Sequence, residues 1–294
     1  MKILILGGNG QVGHELRRSL APLGDVIVTT RSGELPDDVR CEMADFDDPA
    51  SLADLVQRVA PSTIVNAAAY TAVDKAEDDA DAAFRANAEA PGVLARACAE
   101  RGIPFVHYST DYVFDGQGSR PYREEDPTAP LGVYGASKLA GEEAIRAAGG
   151  RHLILRTAWV YGQHGHNFMK TMLRLGADRD ELRIVADQVG TPTSARLIAD
   201  VTRDLLDLRD AEGTFHLTAG GQTSWHGFAA AIFDEALALG RIAQAPRVLP
   251  IATADYPTRA RRPAYSCLDI GKLENRLDKR LPDWRTGLAN VLEA

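Results

Sequence analysis

The first thirteen residues constrain this chain more than any other stretch. Lys2 to Leu6 is a short apolar run that breaks into Gly7-Gly8-Asn9-Gly10-Gln11-Val12-Gly13, after which Leu16 and Leu20 continue at helical spacing. A buried strand, a glycine loop and a helix in immediate succession open a βαβ unit of a doubly wound parallel sheet. Two registers fit the glycines, Gly8-x-Gly10-x-x-Gly13 and Gly7-x-x-Gly10-x-x-Gly13. Glycine permits the tight turn and lets backbone approach a pyrophosphate, while the helix N-terminus offers free N–H groups to the anion. The bland alternative is a glycine-rich turn without a ligand. The strand directly in front favours the nucleotide site, with contacts expected from Gly7, Gly10, Gln11, Val12 and Gly13.

The pattern repeats along the chain. Asp25 to Thr30 reads as a second strand ending in Thr29-Thr30-Arg31-Ser32. No carboxylate stands there to hold a ribose 2'-hydroxyl, and Arg31 suits a 2'-phosphate, so Thr30 and Arg31 suggest NADPH, with NADH as the alternative. Asp45 and Phe46 follow a weak strand around Arg40 to Met43 and are candidates for the adenine; Asp45 also sits near a helix start. Thr63 to Asn66 is the next strand, and Ala67, Ala68 and Ala69 after it are small enough for a flat cofactor to lie against the backbone. Ala80 to Arg101 reads as one long alanine-rich helix, stopped by Gly102 and Pro104. Phe105 to Tyr108 is the fifth strand and His152 to Arg156 the sixth. Alternating strands and helices imply a parallel Rossmann sheet with right-handed crossovers. Residues 1–166, with a return segment near 194–220, are expected to bind the dinucleotide. Residues 167–193 and 221–294 are expected to form a smaller α/β substrate domain.

Two features point to chemistry. Tyr134 and Lys138 are four residues apart in Tyr134-Gly135-Ala136-Ser137-Lys138, which places both on one helix face. A nearby ammonium favours the phenolate, and a phenol so tuned can pass a proton to or from a substrate oxygen. Ser109-Thr110-Asp111 ends the fifth strand, where doubly wound folds bind ligands, so the Thr110 hydroxyl can meet the same oxygen. A capping pair is the plainer reading of Ser109 and Thr110. His107 reads as a strand residue facing the packing layer.

Charge and cysteine content exclude other classes. The net charge is −8, against a nucleic-acid partner. Three widely spaced cysteines fit neither a zinc site nor a disulfide framework, and point to a reducing cytoplasm. The opening apolar run is too short for a signal peptide and no stretch is long enough to span a membrane. His164 and His166 lie in a glycine-rich loop with no partner at ligand spacing.

These motifs together resemble the extended short-chain dehydrogenase/reductases. The resemblance rests on the glycine loop, Asn66-Ala67-Ala68-Ala69, Ser109 to Phe114 and the Tyr134/Lys138 pair. Four later runs, Thr157 to Tyr161, Asn167-Phe168, Asp187 to Thr193 and Tyr256 to Pro263, extend it over nearly the whole chain and narrow it to reductases of dTDP-linked 4-keto deoxysugars. It implies that Tyr134 donates the proton, that Lys138 is its partner and that Thr110 tunes it. Tyr134 and Lys138 would also touch the cofactor. Thr110, Asp111, Tyr134, Trp159 and Asn167 would contact the sugar nucleotide, and Arg259 and Arg262 would suit its diphosphate. It further implies a magnesium ion, to which Glu15 is a candidate contributor, and a homodimer. Two rivals stand beside this reading: an epimerase or dehydratase on the same fold, and a non-catalytic regulatory subunit that binds NADP.

Overall fold

The structure is a computed structural model and describes residues 1–36, 39–208 and 210–294. The chain opens with β1 (Lys2–Leu6), α1 (Gln11–Leu20), β2 (Asp25–Thr30), β3 (Cys41–Met43), α2 (Ser51–Val59) and β4 (Thr63–Asn66). Next come α3 (Val73–Ala76), α4 (Ala80–Phe84), α5 (Ala90–Ala99), β5 (Phe105–Thr110), α6 (Val133–Ala147) and β6 (His152–Thr157). The later half contains β7 (Val160–Tyr161), α7 (Phe168–Asp178), β8 (Glu181–Val185), β9 (Val189–Gly190), β10 (Thr193–Ser194) and α8 (Ala195–Asp207). It continues through β11 (Gly213–His216), β12 (Thr223–Ser224), α9 (Trp225–Ala238), β13 (Arg247–Ile251), α10 (Gly271–Leu277) and α11 (Trp284–Glu293).

Seven strands form one sheet in the order β11-β6-β5-β4-β1-β2-β3. Every pairing in it is parallel. The strand order reverses between β1 and β4, the crevice in which doubly wound folds hold ligands. The strands are buried on both faces, so they read as unbroken apolar runs rather than alternating ones. One face packs Ile3, Ile5 and Val28 with Leu16 and Leu20 of α1 and Ile198 and Leu205 of α8. The other packs Leu4, Leu6 and Ile27 with Leu52, Leu55 and Leu94. The separate return of β11 to the sheet explains why α8 lies against α1.

A further core lies away from the sheet. Tyr161, Met172, Phe228, Ile232, Phe233, Trp284 and Leu288 bring α7, α9 and α11 together. Three two-stranded ribbons, β7 with β10, β9 with β12 and β8 with β13, border it.

The long helix expected from Ala80 to Arg101 is present as a continuous helical run from Ala80 to Ala99, but it is not α-helical throughout. Arg85–Glu89 is a widened π turn between α4 and α5. Pro91 has no N–H to give the carbonyl four residues back and its ring would crowd that carbonyl, which belongs to Asn87. The long segment between β5 and α6 is also more fixed than its glycines and prolines suggest. Tyr122 N–H donates to the Cys267 carbonyl at 2.9 Å, and Asp269 N–H donates back to Tyr122 at 2.7 Å.

Candidate active site

The glycine loop is held by backbone contact on both sides. Gly7 has φ +80°, and a Cβ there would stand 2.8 Å from the Ala68 nitrogen. A Cβ on Gly13 would stand 2.0 Å from the Gly7 carbonyl oxygen. Neither position admits a side chain, so the loop packs directly under α1. Gly10 stands at the N-cap of α1 and supplies no side-chain cap. The first N–H groups of that helix therefore face outward, and the cradle fits a pyrophosphate. Ala67 and Ala68 border it from the end of β4, with Ala69 exposed beyond them.

The adenosine end is less uniform. Thr30 is buried, and its hydroxyl binds both the N–H and the carbonyl of Glu34 at 3.1 Å. Arg31 is 76% exposed and only loosely paired, 3.9 Å from Asp45 and 3.6 Å from Asp47. A guanidinium so free at the end of β2 can turn to a 2'-phosphate. Phe46 packs into the sheet core with Leu52 and Leu55, while Asp45 accepts from Asp47 N–H at 3.0 Å and stays at the surface.

The residues expected to do the acid–base work lie at the carboxyl end of β5 and on α6. Helix α6 can come this close because it carries glycines at its contacts. A Cβ on Gly135 would be 2.2 Å from the Tyr112 carbonyl oxygen, and one on Gly141 2.0 Å from that of Asn87. Tyr134 is half-buried beside Tyr112, ring edge to ring face at 5.5 Å. Thr110 donates to Asp111 Oδ1 at 3.0 Å and accepts from Tyr112 N–H at 3.2 Å. Asp111 Oδ2 is buried without a partner. Burial pushes the Asp111 carboxyl up to about 6, against the hydroxyls of Ser266 and Thr110. Lys138 is buried, and its Nζ donates to the Tyr108 carbonyl at 2.6 Å and lies 3.1 Å from His107 Nε2. Burial brings the Lys138 ammonium down to about 8, with Glu142 opposing.

The sequence reading expects Lys138 to lower the Tyr134 pKa. Instead burial dominates and raises it, and the Thr110 hydroxyl is the group that opposes this. Tyr134 therefore keeps its proton at rest. His107 is likewise not a mere packing residue. It is fully buried, and burial first of all holds its imidazole well below the ordinary range, hence neutral. Its Nδ1 lies 3.0 Å from Asn66 Nδ2. Asn87, inside the stretch read as a long helix, ties three elements together. It accepts from Tyr70 N–H at 2.8 Å and donates to the Tyr70 carbonyl and to Ser137 Oγ, both at 3.0 Å. No spacing rule marks a single asparagine or histidine in this way; only the folded neighbours do.

Of the residues expected to meet the sugar nucleotide, Arg262 donates to Tyr112 OH at 3.1 Å and pairs with Asp74 at 2.5 Å. Arg259 is exposed and paired with Asp78. Trp159 stacks on Trp225 with ring centroids 3.5 Å apart and planes at 4°. Its backbone is left-handed at φ +46°, a conformation that costs a bulky residue energy. Asn167 caps α7 through its side-chain oxygen, and its Nδ2 donates to Gln11 Oε1 at 2.9 Å and to the Gly162 carbonyl at 2.7 Å. Its amide is thus wholly engaged in linking α1 to the later half. Glu15 accepts from Arg18 at 3.2 Å. Among the described residues no three His, Cys, Asp or Glu side chains of this chain converge as a metal site would require.

The comparisons agree with this geometry. The chain matches the family described as RmlD substrate binding domain over residues 1–294. It is 50% identical to a dTDP-4-dehydrorhamnose reductase of Burkholderia thailandensis, over 97% of this chain and 96% of that one. It is 45% identical to one of Salmonella typhimurium, covering 99% and 97%. Among solved structures, a dTDP-4-dehydrorhamnose reductase of Clostridium acetobutylicum superposes with a TM-score of 0.90 at 37% identity, covering 100% of this chain and 99% of that one. One of Bacillus anthracis in complex with NADP also gives 0.90, at 34% identity, covering 99% and 98%.

Proposed function

The chain belongs to the RmlD substrate binding domain family, and from that premise we propose that it reduces the 4-keto group of dTDP-4-dehydro-L-rhamnose to give dTDP-L-rhamnose. It is an NAD(P)H-dependent oxidoreductase. One observation carries the reading: the glycine cradle, the Ala67–Ala68 edge, Thr110, Tyr134 and Lys138 share the carboxyl end of one parallel sheet. NADPH, when bound, supplies the hydride. Tyr134, which burial keeps protonated, gives its proton to the sugar oxygen. The Thr110 hydroxyl meets that oxygen as its charge grows, and Lys138 steadies the phenolate left behind. Arg262 and Trp159 border the sugar nucleotide from the later half, and Asp111 lines the floor. NADPH is preferred over NADH because β2 ends in Thr30-Arg31 rather than in a carboxylate, and Arg31 is exposed and only loosely paired with Asp45 and Asp47.

Within this reading, residues 1–166 with the return segment near 194–220 hold the dinucleotide, and residues 167–193 and 221–294 hold the sugar nucleotide. We place the protein in the cytoplasm, where Cys41, Cys98 and Cys267 remain free thiols. No described helix is long and apolar enough to cross a membrane. A dehydratase on this fold wants a second carboxylate after Asp111; Tyr112 stands there, engaged by Arg262. The decisive experiment supplies dTDP-4-dehydro-L-rhamnose with NADPH and NADH side by side. Oxidation of NADPH tied to sugar reduction is expected. Tight NADP binding without turnover would replace the reductase with a regulatory subunit.

A further inference from the structure

A buried chain of hydrogen bonds runs from the cofactor loop to the amine of Lys138. Ala68 N–H donates to Asn66 Oδ1 at 3.1 Å. A peptide N–H can only donate, so the oxygen of that amide must face Ala68. Its NH2 then faces His107 Nδ1 at 3.0 Å and donates to it. A neutral imidazole carries one hydrogen, and with Nδ1 accepting, that hydrogen sits on Nε2. Nε2 lies 3.1 Å from Lys138 Nζ. An ammonium has three donors and no lone pair, so it would oppose this N–H; a neutral amine accepts it and still donates to the Tyr108 carbonyl at 2.6 Å. The chain is satisfied from end to end in one arrangement only.

We infer that Asn66 and His107 are positioning residues for the reaction, a tautomer lock that presents the Lys138 amine with an N–H to accept. The inference rests on the reading of Tyr134 as the proton donor. A lysine that gains and loses its proton near working pH can reload a phenol after each turnover; a permanent ammonium cannot. The burial of Lys138, His107 and Asn66 makes each mismatched donor costly.

Other charges around α6 do not supply this effect. Glu142 favours the ammonium, but is itself held by Arg156 at 2.8 and 2.7 Å and by Arg146 at 2.7 Å. Asp74 on α3 is taken up by Arg262, and Lys75 is exposed. Asp81, Glu89 and Arg96 on the helices across from α6 are exposed, and Arg85 reaches toward Asp47. Tyr108 OH is bonded to Thr202 on the far side of the sheet, Asp111 to Thr110, and His152 to the Gly150 carbonyl. Tyr112 accepts from Arg262.

The test is nitrogen-15 spectroscopy of the histidine rings in the full-length protein, whose two neutral tautomers give distinct ring-nitrogen shifts. His107 is expected as the Nε2–H tautomer from pH 6 to pH 9, without protonation. An Nδ1–H tautomer or an imidazolium in that range overturns the inference. Asn66→Asp replaces the donating NH2 by an accepting oxygen, so it should switch His107 to Nδ1–H and free Nε2 to accept from an ammonium. The alkaline limb of the kcat–pH profile should then move up by about one pH unit. A limb that stays in place, or a tautomer that does not switch, also overturns it. If Asn66→Asp does not fold, the wild-type spectrum decides alone. A protein that shows the Nε2–H tautomer yet reduces no ketosugar keeps the lock and loses the functional reading.

Discussion

At the scale of single residues, burial rather than charge sets the behaviour of this site. Tyr134 holds its proton because burial disfavours the phenolate, and in the proposed reaction it delivers that proton to an incoming oxygen. Tyr134→Phe is expected to cut kcat by at least about 10²-fold, with NADPH binding unchanged by calorimetry; full activity would remove Tyr134 from the acid's role. Asp111 is the other residue that is poorly suited to its place. Its folded pKa is raised to about 6 from the carboxylate range. The folded state therefore binds more protons than the unfolded one between about pH 4 and 6. The stability this contributes is complete below pH 4 and is lost as pH rises through 6. Asp111→Asn is expected to raise the thermal midpoint at pH 7.5, by up to about 3 kcal/mol in stability, and to flatten the dependence between pH 4 and 6. Thermal unfolding across that range measures it. The same exchange should lower turnover, since functional sites often trade stability for chemistry. Arg31→Ala is expected to reduce the ratio of kcat/KM for NADPH over NADH by roughly tenfold, the value of one charge-assisted contact with a 2'-phosphate.

At the scale of elements, the site depends on close approach of backbones. Helix α6 brings Gly135 against Tyr112 and Gly141 against Asn87, while the π turn ahead of Pro91 leaves the Asn87 carbonyl without a proline N–H to meet. Gly141→Ala places a methyl carbon 2.0 Å from that carbonyl oxygen. Neither backbone can yield without moving α6, so a loss of about 1–3 kcal/mol is expected in urea unfolding. A Gly102→Ala control meets no atoms but sits at φ +64° and should lose only about 1 kcal/mol, through backbone strain. The parallel sheet was legible in the sequence because buried strands announce themselves as apolar runs between glycine stops. The widened turn at Arg85–Glu89 was not legible, because Pro91, two residues beyond it, is compatible with either a helix start or a widened turn. The placement of Thr110 at a strand end and of Tyr134 and Lys138 on one helix was legible through spacing and strand ends. His107 and Asn66 were not, because their meaning lies in partners 31 and 41 residues away.

At the scale of the whole molecule, the later half is tied to the sheet beside the glycine loop. Gln11, in the first turn of α1, is bound by Asn167, which caps α7 in the later half. Asn167→Asp keeps the capping oxygen and loses the donor to Gln11, whereas Asn167→Ala loses both. The alanine variant is expected to cost about 1 kcal/mol more in unfolding. Both variants should raise KM for NADPH, as steady-state kinetics would record; an unchanged KM would make Asn167 a cap alone. The stacked indoles of Trp159 and Trp225 give the molecule a readout of its own. Two identical chromophores in van der Waals contact share their electronic excitation, so their near-ultraviolet circular dichroism is a paired signal of opposite signs rather than the sum of two rings. Trp159 packs against Gly190 and is proposed to border the sugar nucleotide, so a guest that wedges, tilts or parts the rings should collapse that couplet. Arrival at the sugar pocket can thus be watched optically, with no dye attached and no catalysis under way.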